Sequence, residues 1–211
     1  MKRKSALLLL NGELRDPKEV RAAARRADLL LCADGGARHA VGLGLTPDWI
    51  VGDMDSLPKP LPKPWKKTLY WCDFDSERSD LDKALEFARS LGATSVEVAG
   101  AFGGGLDHEL VNFAALEESA YGLSLTVIDG GAARLLGPGR HRLALKRGAR
   151  FTLLAAPRAR LTLAGARFAL KNEVLRRGSR GLGNRAEGQV LLTVREGRVW
   201  VIVASKADLP S

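Results

Sequence analysis

Carboxylates crowd one short stretch of this chain: Asp34-Gly35-Gly36-Ala37, then Pro47-Asp48, then Gly52-Asp53-Met54-Asp55-Ser56. Acids packed that densely repel one another unless a positive charge sits among them. A hard divalent cation such as Mg²⁺ suits carboxylate and phosphate oxygens. Asp53 and Asp55 flank one residue just after the apolar run Trp49-Ile50-Val51. In an extended strand residues i and i+2 point to the same side, so both carboxylates are expected to reach one metal. They would do so at a strand's carboxyl end, where open α/β sheets bind ligands. A second acidic cluster, Asp73, Asp75, Glu77, Asp80 and Asp82, runs into the start of a helical pattern. Free backbone N–H groups at a helix start cradle phosphates, and Lys83, one turn in, is a point charge that could reach one. Asp82 with Ser79 reads as helix capping, and Asp75 and Asp80 as metal or substrate contacts.

A third candidate is the turn Gly100-Ala101-Phe102-Gly103-Gly104-Gly105-Leu106-Asp107-His108, between a strand pattern and a helix pattern. Glycine lets backbone approach a phosphate closely, but this is neither a Walker A loop nor a G-x-G-x-x-G fingerprint. His108 there either contacts a nucleotide or packs. His39, His108 and His141 are isolated, and no serine sits in a G-x-S-x-G turn. The pattern fits metal-assisted phosphoryl chemistry, which needs positioning and charge neutralisation more than a special base.

These groups must be held by alternating elements. Ala6–Leu10, Asp28–Ala33, Trp49–Val51, Thr68–Cys72, Ser95–Ala99 and Leu123–Ile128 read as strands. Helices are expected from Asp16-Pro17 to about Ala27 and over Ala37–Leu43, Ser79–Leu91 and Asp107–Ala120. In the Ser79 helix, Leu81, Ala84, Leu85 and Ala88 recur at helical spacing. Residues 57–67, with four prolines and four lysines, are expected to form a surface loop. Strand-helix alternation predicts a parallel sheet with helices on both faces. After Asp129-Gly130-Gly131 the pattern turns to short β-like runs at 140–145, 150–154, 160–164, 190–194 and 199–203, with Glu196-Gly197 as a hairpin signal between the last two. The fold class is therefore α/β: a Rossmann-like parallel α/β domain over residues 1–132, then an all-β sandwich over 138–211.

Charge divides at the same place. Residues 1–132 carry 16 Lys+Arg against 20 Asp+Glu, while residues 133–211 carry 17 against 4. The basic half is suited to a polyphosphate or a nucleic acid, or carries solvated arginines at a sheet surface. No apolar run approaches the roughly 20 residues of a membrane span, and the apolar start is shorter than a signal peptide's core. Cys32 and Cys72 lack metal-ligand spacing and do not make a disulfide scaffold, so a cytoplasmic location is expected.

Taken together, the motifs resemble those of the thiamine pyrophosphokinase family. Asp34-Gly35-Gly36-Ala37, Pro47-Asp48 and Gly52-Asp53-Met54-Asp55-Ser56 are similar to its D-G-G-A … P-D … G-D-x-D-S signature. Ser79-Asp80-Leu81-Asp82-Lys83-Ala84 resembles its T-D-x-x-K-A helix start, and Gly104-Gly105-Leu106-Asp107-His108 its G-G-R-x-D-H turn. Gly165-Ala166-Arg167-Phe168-Ala169-Leu170 and Gly181-Leu182-Gly183-Asn184 resemble its G-L-K-aromatic-x-L strand and G-L-S-N turn. The resemblance implies Mg²⁺-dependent transfer of diphosphate from ATP to thiamine, releasing AMP. It places Asp53, Asp55 and Asp80 on the metal, with Asp75 and Glu77 assisting. Asp34, Gly35, Gly36, Gly104, Asp107, His108 and Lys83 then hold the nucleotide or position the nucleophile. It implies a homodimer with thiamine at the interface, stacked on Phe168 beside Asn184 and Ser179.

Four positions depart from the family pattern. Gly105 stands for an arginine, which an arginine of the basic half would replace; Glu77 stands for an aspartate; Gly183 stands for a serine; and Arg185 follows where an acid is common. The last pair adds positive charge beside a site for a cationic ligand. Two competitors follow: a diphosphokinase acting on another heteroaromatic alcohol such as a pterin, and a non-catalytic thiamine- or nucleic-acid-binding protein. Nucleic acid is not an expected partner, because the aromatics do not interleave with basic residues and the acidic clusters would have no role.

Overall fold

The computed structural model describes residues 3–60 and 62–209. The chain divides into two units, residues 1–129 and 130–211. In the first unit six strands form a parallel sheet: β1 (Lys4–Leu9), β2 (Leu29–Ala33), β3 (Trp49–Gly52), β4 (Leu69–Cys72), β5 (Ala93–Ala99) and β6 (Ser124–Ile128). Their order is β6-β5-β1-β2-β3-β4. β1 is central, and Leu7, Leu8 and Leu9 are fully buried, as its unbroken apolar run requires. The chain winds outward from β1 to β4, then returns to build β5 and β6 on the other side. The strand order thus reverses between β1 and β5, and ligands bind at such switch points.

Four helices belong to this unit: α1 (Pro17–Arg26), α2 (Ala37–Leu43), α3 (Asp80–Ser90) and α4 (Leu106–Ser119). α1 starts where Asp16 Oδ1 accepts the Glu19 N–H at 3.0 Å. α3 starts where Ser79 Oγ accepts the Asp82 N–H at 3.2 Å and donates to Asp82 Oδ2 at 2.6 Å. Asp82 is therefore a capping residue. α3 buries Leu81, Ala84, Leu85 and Ala88, the residues of the expected stripe. The loop expected at 57–67 is partly corrected. Lys63–Lys67 forms a 3₁₀ turn whose Trp65 is buried, with its indole N–H on the Leu45 carbonyl at 3.0 Å. Leu61, within that expected loop, lies outside the described residues. No helix among the described residues is long and apolar enough to cross a membrane.

The second unit holds β7 (Ala132–Leu136), β8 (Gly139–Leu143), β9 (Arg150–Ala166), β10 (Leu170–Arg176) and β11 (Asn184–Val203) around a core that includes Phe151, Leu161, Leu192 and Val199. Two expectations are corrected here. The runs at 150–154 and 160–164 are one strand, β9, and those at 190–194 and 199–203 are one strand, β11. Glu196-Gly197 is not a hairpin. The register between β11 and β9 shifts there, and Gly197 sits at φ +74°, where an added Cβ would stand 2.0 Å from the Arg158 carbonyl oxygen. The bulge bends β11 without ending it. The strand pairs with β8 over Val190–Val194 and with β7 over Val199–Val203.

Candidate active site

The carboxyl ends of β1 to β5 surround a cleft of about 850 Å³. Asn11 and Gly12 follow β1, Asp34 and Gly35 follow β2, Asp53 follows β3, Asp75 lies beyond β4, and Gly103 and Gly104 follow β5. This is the size and place expected of a ligand site in an α/β sheet.

Asp34, Asp53 and Asp55 each offer one oxygen to a group lying within 4.8 Å. The way they meet differs from the extended geometry expected of Asp53 and Asp55. β3 ends at Gly52, and Met54 at φ +69° turns the chain. The Asp55 N–H donates to Asp53 Oδ1 at 3.3 Å across this turn. The Ser56 N–H then donates to Asp34 Oδ2 at 3.1 Å, and Ser56 Oγ to Asp55 Oδ1 at 2.7 Å. Asp34, expected to hold nucleotide, is thus the buried member of the carboxylate group. Its Oδ1 is buried and makes no hydrogen bond among the described residues. A buried polar atom without a partner calls for one. Asp34 with the neighbouring Asp53 and Asp55 carboxylates makes a set of three hard oxygen donors that fits a Mg²⁺ ion.

Asp80 stands at the start of α3, with Oδ1 3.7 Å from Lys83 Nζ. Burial raises its pKa, with Asp53 and Asp55 adding to the rise and Lys83 opposing it. Lys83 is buried, and its ammonium donates to the Asp73 carbonyl at 3.0 Å, leaving donors for the cleft it lines. Asp75 lines the cleft, and its Oδ1 accepts the Glu77 N–H at 2.9 Å. Glu77 itself is exposed and is not brought to the carboxylate group. Gly35, Gly104 and His108 line the cleft; Gly36 and Asp107 do not. Gly36 is buried against the β1 backbone, and Asp107 is exposed.

Among the cleft residues outside the sequence expectation are Arg38, Phe74, Arg78 and Asn112. Asn112 is one helical turn beyond His108, a spacing that would have found it. Arg38 follows the Asp34-Gly35-Gly36-Ala37 motif and donates to the Asn11 carbonyl; Arg78 lies inside the second acidic cluster. The cations of this cleft therefore come from the acidic unit itself. Gly105, where an arginine was expected, sits at φ +130°, a conformation that a side chain disfavours.

In the other unit, Phe168 is exposed. The buried Asn184 amide clasps its peptide, accepting from the Phe168 N–H at 3.1 Å and donating to the Phe168 carbonyl at 2.9 Å. Asn184 is thus a positioning residue for the aromatic. The Arg167 guanidinium lies 5.6 Å from the Phe168 ring centroid. Ser179 opens a 3₁₀ turn, Ser179–Gly181.

Burial, with Asp55, Asp80 and Asp53 nearby, pushes the Asp34 carboxyl from an ordinary 3.8 up to about 6. A raised carboxyl pKa means that the folded chain holds a proton the unfolded chain has released. The associated stability is present below the ordinary value and is lost as pH rises through the folded one. Without divalent cation, the melting temperature is therefore expected to rise between about pH 7.5 and about pH 5. Asp34→Asn should flatten that rise, and so should Mg²⁺ at the higher pH. Thermal melts in chelator check this; an unchanged slope in the variant would show that other groups cause it.

The fold is of the α/β class, with a cleft at the carboxyl ends of a parallel sheet, the usual place of a ligand site. The sequence profile of the thiamin pyrophosphokinase catalytic domain matches residues 20–127, just over half of the 211-residue chain. The chain belongs to the thiamin pyrophosphokinase family and is an enzyme of that kind. It is similar in fold to the thiamine pyrophosphokinase of Bacillus subtilis, with a TM-score of 0.80 at 20% identity, covering 96% of this chain and 100% of that one. It is also similar to the enzyme of Geobacillus thermodenitrificans (TM-score 0.79, 21% identity, 97% of this chain and 100% of that one). For that of Candida albicans the TM-score is 0.73 at 16% identity, covering 99% of this chain and 90% of that one. No curated protein sequence matches the chain.

Proposed function

We propose that the chain transfers the diphosphate of ATP to the hydroxyethyl group of thiamine, with Mg²⁺, in the cytoplasm and as a homodimer. The observation that carries this reading is the Asp34–Asp53–Asp55 group, with a buried unpartnered Asp34 oxygen, whose Asp34 and Asp53 line a cleft that also holds cations. We read the first unit as a Rossmann-like nucleotide domain and the second as a β-sandwich that presents the acceptor.

Asp34, Asp53 and Asp55 would hold the metal, with Asp80 and Asp75 beside it. When bound, Mg²⁺ neutralises charge on the triphosphate oxygens. Lys83 supplies a positive charge at the start of α3, where free N–H groups also face phosphate. Arg38 and Arg78 provide guanidinium forks for the phosphate chain, in place of the arginine absent at position 105. The Gly103-Gly104 turn lets backbone approach the same chain. The acceptor hydroxyl oxygen bonds to the β-phosphorus and its proton passes to solvent, the bond from that phosphorus to the α–β bridging oxygen breaks, and AMP leaves. Such transfer depends on alignment and charge neutralisation, which these residues supply. Phe168, set by Asn184, offers a flat face to the acceptor ring, with Ser179 nearby in sequence. The Arg167 cation already lies over that ring, and this favours a second reading in which the acceptor is a neutral heteroaromatic alcohol such as a pterin.

AMP release from ATP and Mg²⁺, with and without thiamine, tests the reading. Thiamine-dependent AMP and a product of thiamine diphosphate mass are expected. AMP formed with a pterin alcohol and none with thiamine would establish the second reading. Arg38→Ala with Arg78→Ala is expected to raise KM for ATP by about tenfold or more, the value of a charge-assisted hydrogen bond. An unchanged KM would place the phosphates away from these arginines.

A further inference from the structure

The basic unit has a recess that the proposed reaction does not use. It has a volume of about 440 Å³, and its lining includes Arg140, His141 and Arg142 of β8, Leu191, Thr193 and Arg195 of β11, and Thr162 of β9. The register explains the cluster. Arg140 stands opposite Thr193 and Arg142 opposite Leu191. Residues two apart on a strand share a face, so Arg140 and Arg142 project together, as do Leu191, Thr193 and Arg195.

No carboxylate lines the recess. The side chains of Arg140, Arg142 and Arg195 have no ion pair or hydrogen bond among the described residues. Other arginines of the unit do find acids: Arg160 lies 3.5 Å from Glu196, and Arg180 pairs with Glu173. Three unpaired like charges gathered by adjacent strands repel one another, and an anion would relieve them. The surrounding half of the chain, 17 Lys+Arg against 4 Asp+Glu over residues 133–211, strengthens the attraction. Thr193 adds a hydroxyl, and the half-exposed Leu191 adds an apolar wall.

We propose that this recess is a second ligand site, binding the phosphate or diphosphate of a small organic ester. Guanidinium forks bind phosphate oxygens bidentately, and the volume falls in the range of about 300–1,000 Å³ usual for small ligands. The apolar wall favours an ester over the bare ion. The recess shares no lining residue with the cleft of the α/β unit.

The test titrates inorganic pyrophosphate into the full chain without divalent cation and follows the histidine ring signals by NMR. The chain has three histidines. His141 lines the recess, His108 lines the other cleft, and His39 bonds the Gly12 carbonyl. A saturable shift of His141 is expected, and Arg142→Gln with Arg195→Gln should weaken it by about a hundredfold. Movement of His108 alone, or equal affinity in the double variant, would overturn the site. So would a changed oligomeric state in the variant with pyrophosphate binding intact, which would make this face a subunit contact. Salt-steep binding of a nucleic-acid oligomer at His141, with no response to pyrophosphate, would also overturn it. No turnover is read, so failure of the proposed reaction leaves this result independent.

Discussion

Asp55→Asn is expected to lower turnover by about a thousandfold while raising the melting temperature of the metal-free chain. The two effects share a cause. One oxygen from each of three carboxylates lies within 4.8 Å of the others, and Asp34 of that group has a buried oxygen with no hydrogen bond among the described residues. Without a cation the group is self-repelling, so removing one charge relieves the fold. With substrate present the same charge is needed, because an amide holds a divalent cation far less well than a carboxylate. The side-chain oxygen of asparagine can still accept from Ser56 Oγ, so the turn after β3 need not open. Initial rates of AMP formation and melts in chelator measure both. Full activity in the variant would sink the metal assignment. A lowered melting temperature would show that the turn, and not repulsion, dominates at this position.

Gly36→Ala should destabilise the chain by about 3 kcal/mol and disable the cleft. A Cβ at position 36 would stand 2.1 Å from the Leu9 carbonyl oxygen and 2.7 Å from its carbon. β1 cannot yield, since Leu9 is fully buried and paired with Cys32 on one side and Ala99 on the other. The displaced segment would carry Asp34 with it. Gly42→Ala is the matched control. It lies in α2 with nothing within 4 Å of the added Cβ, and alanine there should stabilise by about 0.5–1 kcal/mol. Denaturant unfolding of the two variants, beside AMP release, separates these outcomes. Equal stability would mean that β1 and the Gly35-Gly36 turn can part at little cost.

Gly36 also marks a limit of reading glycine motifs from sequence. Asp34-Gly35-Gly36 looks like one phosphate-binding unit, yet Gly35 lines the cleft and Gly36 allows two backbones to touch. A sequence shows that a side chain is missing but not what fills the space. The arginines show the same limit in charge. The basic half was the expected source of a replacement for the arginine at position 105, but Arg38 and Arg78 line the cleft from the acidic half. Charge totals sum over a unit, whereas a phosphate contact depends on which strand end a residue follows. Trp65, in a segment dense with proline and lysine, is buried because one indole outweighs its neighbours' polarity. Glu196-Gly197 has the composition of a turn but serves as a bulge, since β9 continues alongside and pairs through it.

Several residues that line the cleft were legible from local pattern. Acids just past apolar runs, and Ser79 with Asp82 at a helix start, depend on strand and helix geometry over a few residues. Apolar periodicity likewise placed the parallel strands and the order in which they follow one another. The partnership of Asp34 with Asp53 and Asp55 could not be read that way. It requires β2 to lie beside β3, Met54 to take a positive φ, and Ser56 to reach back to Asp34. The arginine recess likewise needs β8 paired with β11 in one register. Local sequence sets which groups a segment offers, because backbone periodicity acts over a few residues. Which offered groups meet is set by strand pairing and turns between residues far apart, and that information exists only once the chain has folded.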